Sequence, residues 1–171
     1  MTFLKMAVAA AALVALGACT NADRFGPGSS GAEGGFGANG GVTGGVNDPT
    51  SPVYFNETIG DRILFAVDQS TLGPEAQAVL DQQAVWLTQN ADYRALIEGH
   101  ADEQGTREYN LALGARRASA VQNYLISRGV APGRLQTISY GKERPIQICS
   151  DETCYSQNRR SVTVITAGAG V

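Results

Sequence analysis

The chain has 171 residues, a length for one domain with or without appendages. Lys and Arg number 13 against 16 Asp and Glu, a net charge of -3, which argues against a general nucleic-acid binder with its basic surplus. A single His excludes a multi-histidine metal site, and any Ser–His or Cys–His mechanism would have to use His100. The 21 Gly are not evenly spread, because ten of them fall within the twenty residues from Gly26 to Gly45.

Met1 to Lys5 is a short segment with one positive charge, and Met6 to Leu16 is an unbroken apolar run of eleven residues. A bilayer span needs about 20 residues, so the run fits the apolar core of a signal peptide instead. Leu16-Gly17-Ala18-Cys19 resembles a bacterial lipobox, in which small residues precede the Cys that receives diacylglycerol. On this reading residues 1–18 are removed and Cys19 becomes a lipidated N-terminus, whose acyl chains contribute about 0.8 kcal/mol per buried methylene. The alternative is an ordinary secretory signal with a chance Cys. Thr20, in place of an Asp after the Cys, favours the outer membrane in lipoproteins of this kind.

Residues 19–52 are dominated by Gly, Asn, Ser, Thr and Ala. Such a segment buries too little surface to offset its ordering entropy and is expected to be a disordered tether. A Gly-rich chain of that length has a root-mean-square span of roughly 30 Å.

Residues 53–171 are expected to fold. Arg62 to Val67 is a short apolar run and a strand candidate. Pro74 opens a helix, where its missing N–H costs nothing, and Ala76, Leu80, Ala84 and Leu87 recur at helical spacing. Arg94 to Gly99 reads as a second strand. Glu108 to Arg128 reads as a second helix stopped by Gly129, with an apolar stripe of Leu111, Ala115, Ala118, Val121 and Leu125. Leu135 to Tyr140 and Arg159 to Thr166 complete the strands, the last with Val162 and Val164 on one face. The order β-α-β-α-β-β predicts an α/β two-layer sandwich, with two main helices on one face of a small mixed sheet.

Cys149 and Cys154 enclose a short loop. In an exported chain two such thiols are expected to form a disulfide, worth about 2–3 kcal/mol in a chain-entropy account. A metal site there lacks further Cys or His ligands.

The informative stretch runs from Ile97 to Ala118. A strand ends at His100, a polar loop carries Asp102, and a helix follows in which Leu113 and Arg117 share a face. An acid from the loop and a base from the helix, beside Leu113, suit a small zwitterion: carboxylate to ammonium and guanidinium to carboxylate. Two plainer readings stand beside this: Asp102 and Arg117 bridge each other, or Asp102 caps a turn. His100 reads as a packed strand-end residue. Surface solvation is the default for Arg116, and Arg159 and Arg160 support either the pocket or the strand end.

The stretch resembles the signature of OmpA-like peptidoglycan-binding domains, as do Ser139 to Pro145 and Gln157-Asn158-Arg159-Arg160. The resemblance implies a non-enzymatic domain without cofactor that binds the diaminopimelate residue of the peptidoglycan stem peptide. It places the loop acid at Asp102 and the helix base at Arg117, with Phe65, Thr106 and Leu113 lining the pocket. With the lipobox, it further implies a lipid-anchored outer-membrane protein facing the periplasm, with TolB and other Tol proteins as partners. Ala66, Gln104 and Ala115 depart from the residues common at those places in the family. The alternative is an OmpA-like lipoprotein outside the Tol system; a wall hydrolase is the rival of another class, but no nucleophile stands beside His100 in a recognisable motif.

Overall fold

The computed structural model describes residues 45–168. The expected signal peptide, Cys19 and residues 19–44 of the expected tether lie outside that range. A turn of helix α1 (Pro52–Tyr54) runs into a π-helical segment, Phe55–Gly60. Strand β1 (Arg62–Leu64), helix α2 (Pro74–Gln89), strand β2 (Tyr93–His100) and helix α3 (Arg107–Ser127) follow. Strand β3 (Leu135–Gly141), the short helix α4 (Glu152–Asn158) and strand β4 (Arg160–Ala167) complete the described chain.

The four strands form one mixed sheet in the order β1-β4-β2-β3. β4 runs antiparallel to both of its neighbours, and β2 pairs with β3 in parallel. The two long helices supply Leu80, Ala84, Trp86, Leu87, Ala118, Val121 and Leu125 to a core that Phe55, Ile63, Phe65, Ala95, Ile97, Val130 and Leu135 complete. The α/β architecture expected from the hydrophobic periods is therefore present. Beyond the expected elements lie a 3-10 turn at Pro132–Arg134 and two further helical pieces, the segment 52–60 and α4. These two pieces are too short to show a helical period, and both are set by caps. Ser51 accepts from Tyr54 N at the start of α1. Asp151 does the same for α4, accepting from Thr153 N and Cys154 N.

Two local expectations need correction. The first strand stops at Leu64, and Val67 is exposed beyond it. The buried face of α3 carries Leu113, Gly114, Arg117, Ala118, Val121 and Leu125, while Leu111 and Ala115 are exposed. The cause is a close approach of α3 to β2: a Cβ on Gly99 would overlap the carbonyl of Gly114, so a glycine sets the contact and the apolar stripe is displaced. On β4, Val162 and Val164 share one face as expected and are half-buried there, while Ser161 and Thr163 are buried on the other. Their hydroxyls are satisfied, Ser161 Oγ by Glu98 O at 2.8 Å and Thr163 Oγ1 by Gln83 Oε1 at 2.9 Å.

The packed domain also begins earlier than composition suggests. Ser51 is buried, and Trp86 Nε1 donates to Pro49 O at 2.7 Å, so residues next to the Gly-rich stretch belong to the fold. Cys149 and Cys154 are joined through their sulfurs, with Cα atoms 5.8 Å apart.

Candidate ligand-binding site

Three segments meet beyond the C-terminal end of β2: the loop after β1, the loop between β2 and α3, and the first turns of α3. They enclose a depression of about 290 Å³. Val67 and Asp68 line it from the first loop, Asp102, Gln104 and Gly105 from the second, and Tyr109, Asn110 and Leu113 from the helix.

Local chemistry fixes each wall. Gly105 adopts φ 87°, a conformation that L side chains rarely take, and turns the chain into α3. Thr106 then caps the helix, its hydroxyl accepting from Tyr109 N at 3.2 Å. Asn110 Nδ2 donates to Gln104 O at 2.6 Å, and Lys142 Nζ donates to Gly105 O at 2.7 Å, so the loop is tied from both sides. Across the mouth, the Tyr109 hydroxyl donates to Asp68, which joins the β1 loop to the helix.

Asp102 is mostly buried, and one carboxylate oxygen accepts from Gln104 N at 3.3 Å. The other accepts from Arg159 Nη1 at 3.2 Å. Among the ion pairs of the described residues, Asp102 is thus joined to Arg159 and not to Arg117. Arg159 is itself shared: Nε donates to Phe65 O at 3.2 Å and both Nη atoms reach Glu152.

Arg117 is wholly buried behind the depression. Its Nε donates to Gln69 O at 2.8 Å, Nη1 to His100 O at 2.7 Å and Nη2 to Ala66 O at 3.1 Å. The guanidinium lies 5.1 Å from the Phe65 ring centre. Burial draws its pKa down to about 10, against the opposing pull of Asp102, so it stays charged at neutral pH.

The structure therefore brings Asp102 and Leu113 onto one surface and sets Arg117 behind it, with Phe65 packed on Arg117. Thr106 is exposed at the helix cap and shapes the loop from there. Sequence reasoning leaves Arg159 undecided and passes over Glu152 and Tyr109, whose partners are 57, 7 and 41 residues away and share no local pattern.

His100 is buried, with its ring centre 5.5 Å from that of Tyr140 and its Nε2 3.4 Å from a Glu98 oxygen. Burial first, and then Arg160, Arg144 and Arg62, lower its pKa to about 4, so the imidazole is neutral at pH 7. Among the described residues, the one cluster of potential metal ligands is Cys149, Asp151 and Cys154. Its two sulfurs are bonded to each other, which leaves no thiolate for an ion.

A family model for the OmpA family matches residues 64–159. A peptidoglycan-associated lipoprotein of Rhizobium meliloti is 55% identical over 130 residues, covering 76% of this chain and 73% of that protein. A peptidoglycan-associated lipoprotein of Agrobacterium fabrum is 49% identical over 158 residues, covering 92% of this chain and 85% of that protein. Among solved structures, the peptidoglycan-associated lipoprotein from Burkholderia pseudomallei superposes with a TM-score of 0.63 at 38% identity, over 71% of this chain and 98% of that one. The C-terminal domain of Helicobacter pylori MotB shares the fold, with a TM-score of 0.59 at 22% identity, over 64% of this chain and 86% of that one.

The fold is the one seen in that Burkholderia lipoprotein. The chain belongs to the OmpA family and, within it, to the group of the peptidoglycan-associated lipoproteins.

Proposed function

We propose that this chain is an outer-membrane lipoprotein that grips peptidoglycan without a covalent bond, through the diaminopimelate residue of the stem peptide, and so links the membrane to the wall. The observation that carries the reading is the Asp102 carboxylate set at the depression beside Leu113. A carboxylate there accepts from the diaminopimelate ammonium, a charge-assisted hydrogen bond of about 1.5–3 kcal/mol. The ligand's methylene chain lies against Leu113 and Val67.

Arg117 contributes differently from a free clamp. Three of its N–H groups already hold backbone carbonyls, so a bidentate grip on a ligand carboxylate would exchange those bonds. Its charge instead attracts the carboxylate from behind the wall, while its hydrogen bonds hold the β1 loop against the end of β2. Phe65 keeps the guanidinium in place, and Thr106 fixes the start of the helix that carries Leu113.

Lipidation of Cys19 and a Gly-rich tether suit a domain that must reach a separate, insoluble polymer from the periplasmic face of the outer membrane. TolB and other Tol proteins are the partners this reading proposes, with TolB competing for the domain. The test is co-sedimentation of the lipid-free chain with purified sacculi. Asp102→Ala should abolish it, and undiminished binding by that variant would sink the pocket assignment. Absence of any effect of TolB on sacculus binding would move the chain to a wall-binding lipoprotein outside the Tol system.

A further inference from the structure

Arg159 is the centre of a small charge network that the pocket does not display on its surface. The side chain is 5% exposed, yet it faces two carboxylates: Asp102, 11% exposed, and Glu152, 66% exposed. Asp102 receives one Nη1 bond at 3.2 Å. Glu152 receives bonds from both Nη1 and Nη2, and Nε is taken by Phe65 O. The guanidinium is therefore held more fully by Glu152 than by Asp102.

Glu152 owes its place to the disulfide loop. It is the first residue of α4, whose cap is Asp151 and whose Cys154 is bonded to Cys149. The hydrogen bond from Arg159 is the largest influence on the Glu152 carboxyl and lowers its pKa, so the acid is ionised at neutral pH. A lone Arg159 would pair its full charge with Asp102 and cancel the negative potential that an ammonium needs. Sharing with Glu152 leaves that potential facing the depression, with Asp68 adding a second negative charge at the rim.

We propose that Glu152, held by the disulfide-closed α4 loop, is a positioning and specificity-determining residue that acts through Arg159 to keep Asp102 available for a ligand ammonium. The inference rests on the pocket reading above and names what gives that pocket its preference for a cationic group.

The experiment compares two free ligands on the lipid-free chain by calorimetry or NMR titration: meso-diaminopimelate, and 2-aminopimelate, which lacks one ammonium. Wild type should prefer diaminopimelate. Glu152→Gln, a change at an exposed side chain, should cut that preference by about threefold, the scale of a partly exposed charge. It should also shift the Nε resonance of Arg159. Glu152→Asp, which keeps the charge, should restore part of the preference. A structural loosening would weaken both ligands alike and leave their ratio unchanged. An unchanged ratio in Glu152→Gln therefore overturns the inference and leaves the pocket intact. A wild type with no preference, unaffected by Asp102→Asn, overturns the pocket reading and the inference with it.

Discussion

Gly99 on β2 and Gly114 on α3 touch backbone to backbone. A Cβ on Gly114 would lie 2.7 Å from Gly99 O and would also overlap the Ser139 hydroxyl. This contact sets the height of α3 over the sheet, and with it the short loop that carries Asp102.

Gly114→Ala should consequently destabilise the domain. The substitution gains about 1 kcal/mol of helix propensity but forces the helix from the sheet at an overpacking cost of about 1–3 kcal/mol. The expected outcome is a lower urea midpoint together with weaker sacculus binding. Both are read on the same variant.

Arg117 should separate charge from position. Arg117→Met leaves the carbonyls of Ala66, Gln69 and His100 without donors and should cost about 3 kcal/mol or more. Arg117→Lys keeps the charge but cannot span three carbonyls. If position dominates, the Lys variant loses ligand binding nearly as fully as the Met variant, and a titration with diaminopimelate reads the difference.

Acid should weaken the fold through His100. Its folded pKa is about 4 against 6.5 for the free group, so between those values the unfolded chain takes up the proton and the folded one does not. The contribution is fully present above pH 6.5 and is lost as pH falls toward 4. Its size is on the order of 3 kcal/mol. Unfolding in urea at about pH 7.5 and about pH 4.5 should show the loss in wild type and a smaller one in His100→Phe.

A chain beginning at Val53 should be less stable than one beginning at Gly45. It lacks the Pro49 carbonyl that receives Trp86 Nε1 and the Ser51 hydroxyl that caps α1. Together these are worth about 2 kcal/mol. A lower urea midpoint and a red-shifted emission from the single Trp are the expected readouts.

Much of this architecture is legible in the sequence because periodic patterns report long elements. The stripe of Leu80, Ala84 and Leu87 identifies α2, and strand and turn residues place β2 and β3. The strand order is not legible, since β4 sets Val162 against Arg62 and Ser161 against Gly99, both far upstream. Asp102 and Leu113 are readable as neighbours from the loop and helix spacing. The surroundings of Arg117 are not: an Arg on a helix face beside an acid suggests a ligand clamp, and only the three carbonyls show where its donors go. Arg159 and Glu152 stay hidden for the opposite reason. They are close in sequence, but what they act on is Asp102, across the fold.

The place of β4 has a consequence for the order in which the sheet closes. It is the last element of the described chain, and it fills the gap between β1 and β2. Until it arrives, β1 has no strand partner and the sheet has a hole at its centre. A chain that has not yet placed β4 therefore holds two separate pieces, β1 alone and the β2–β3 pair, and the sheet closes only when its last strand is added.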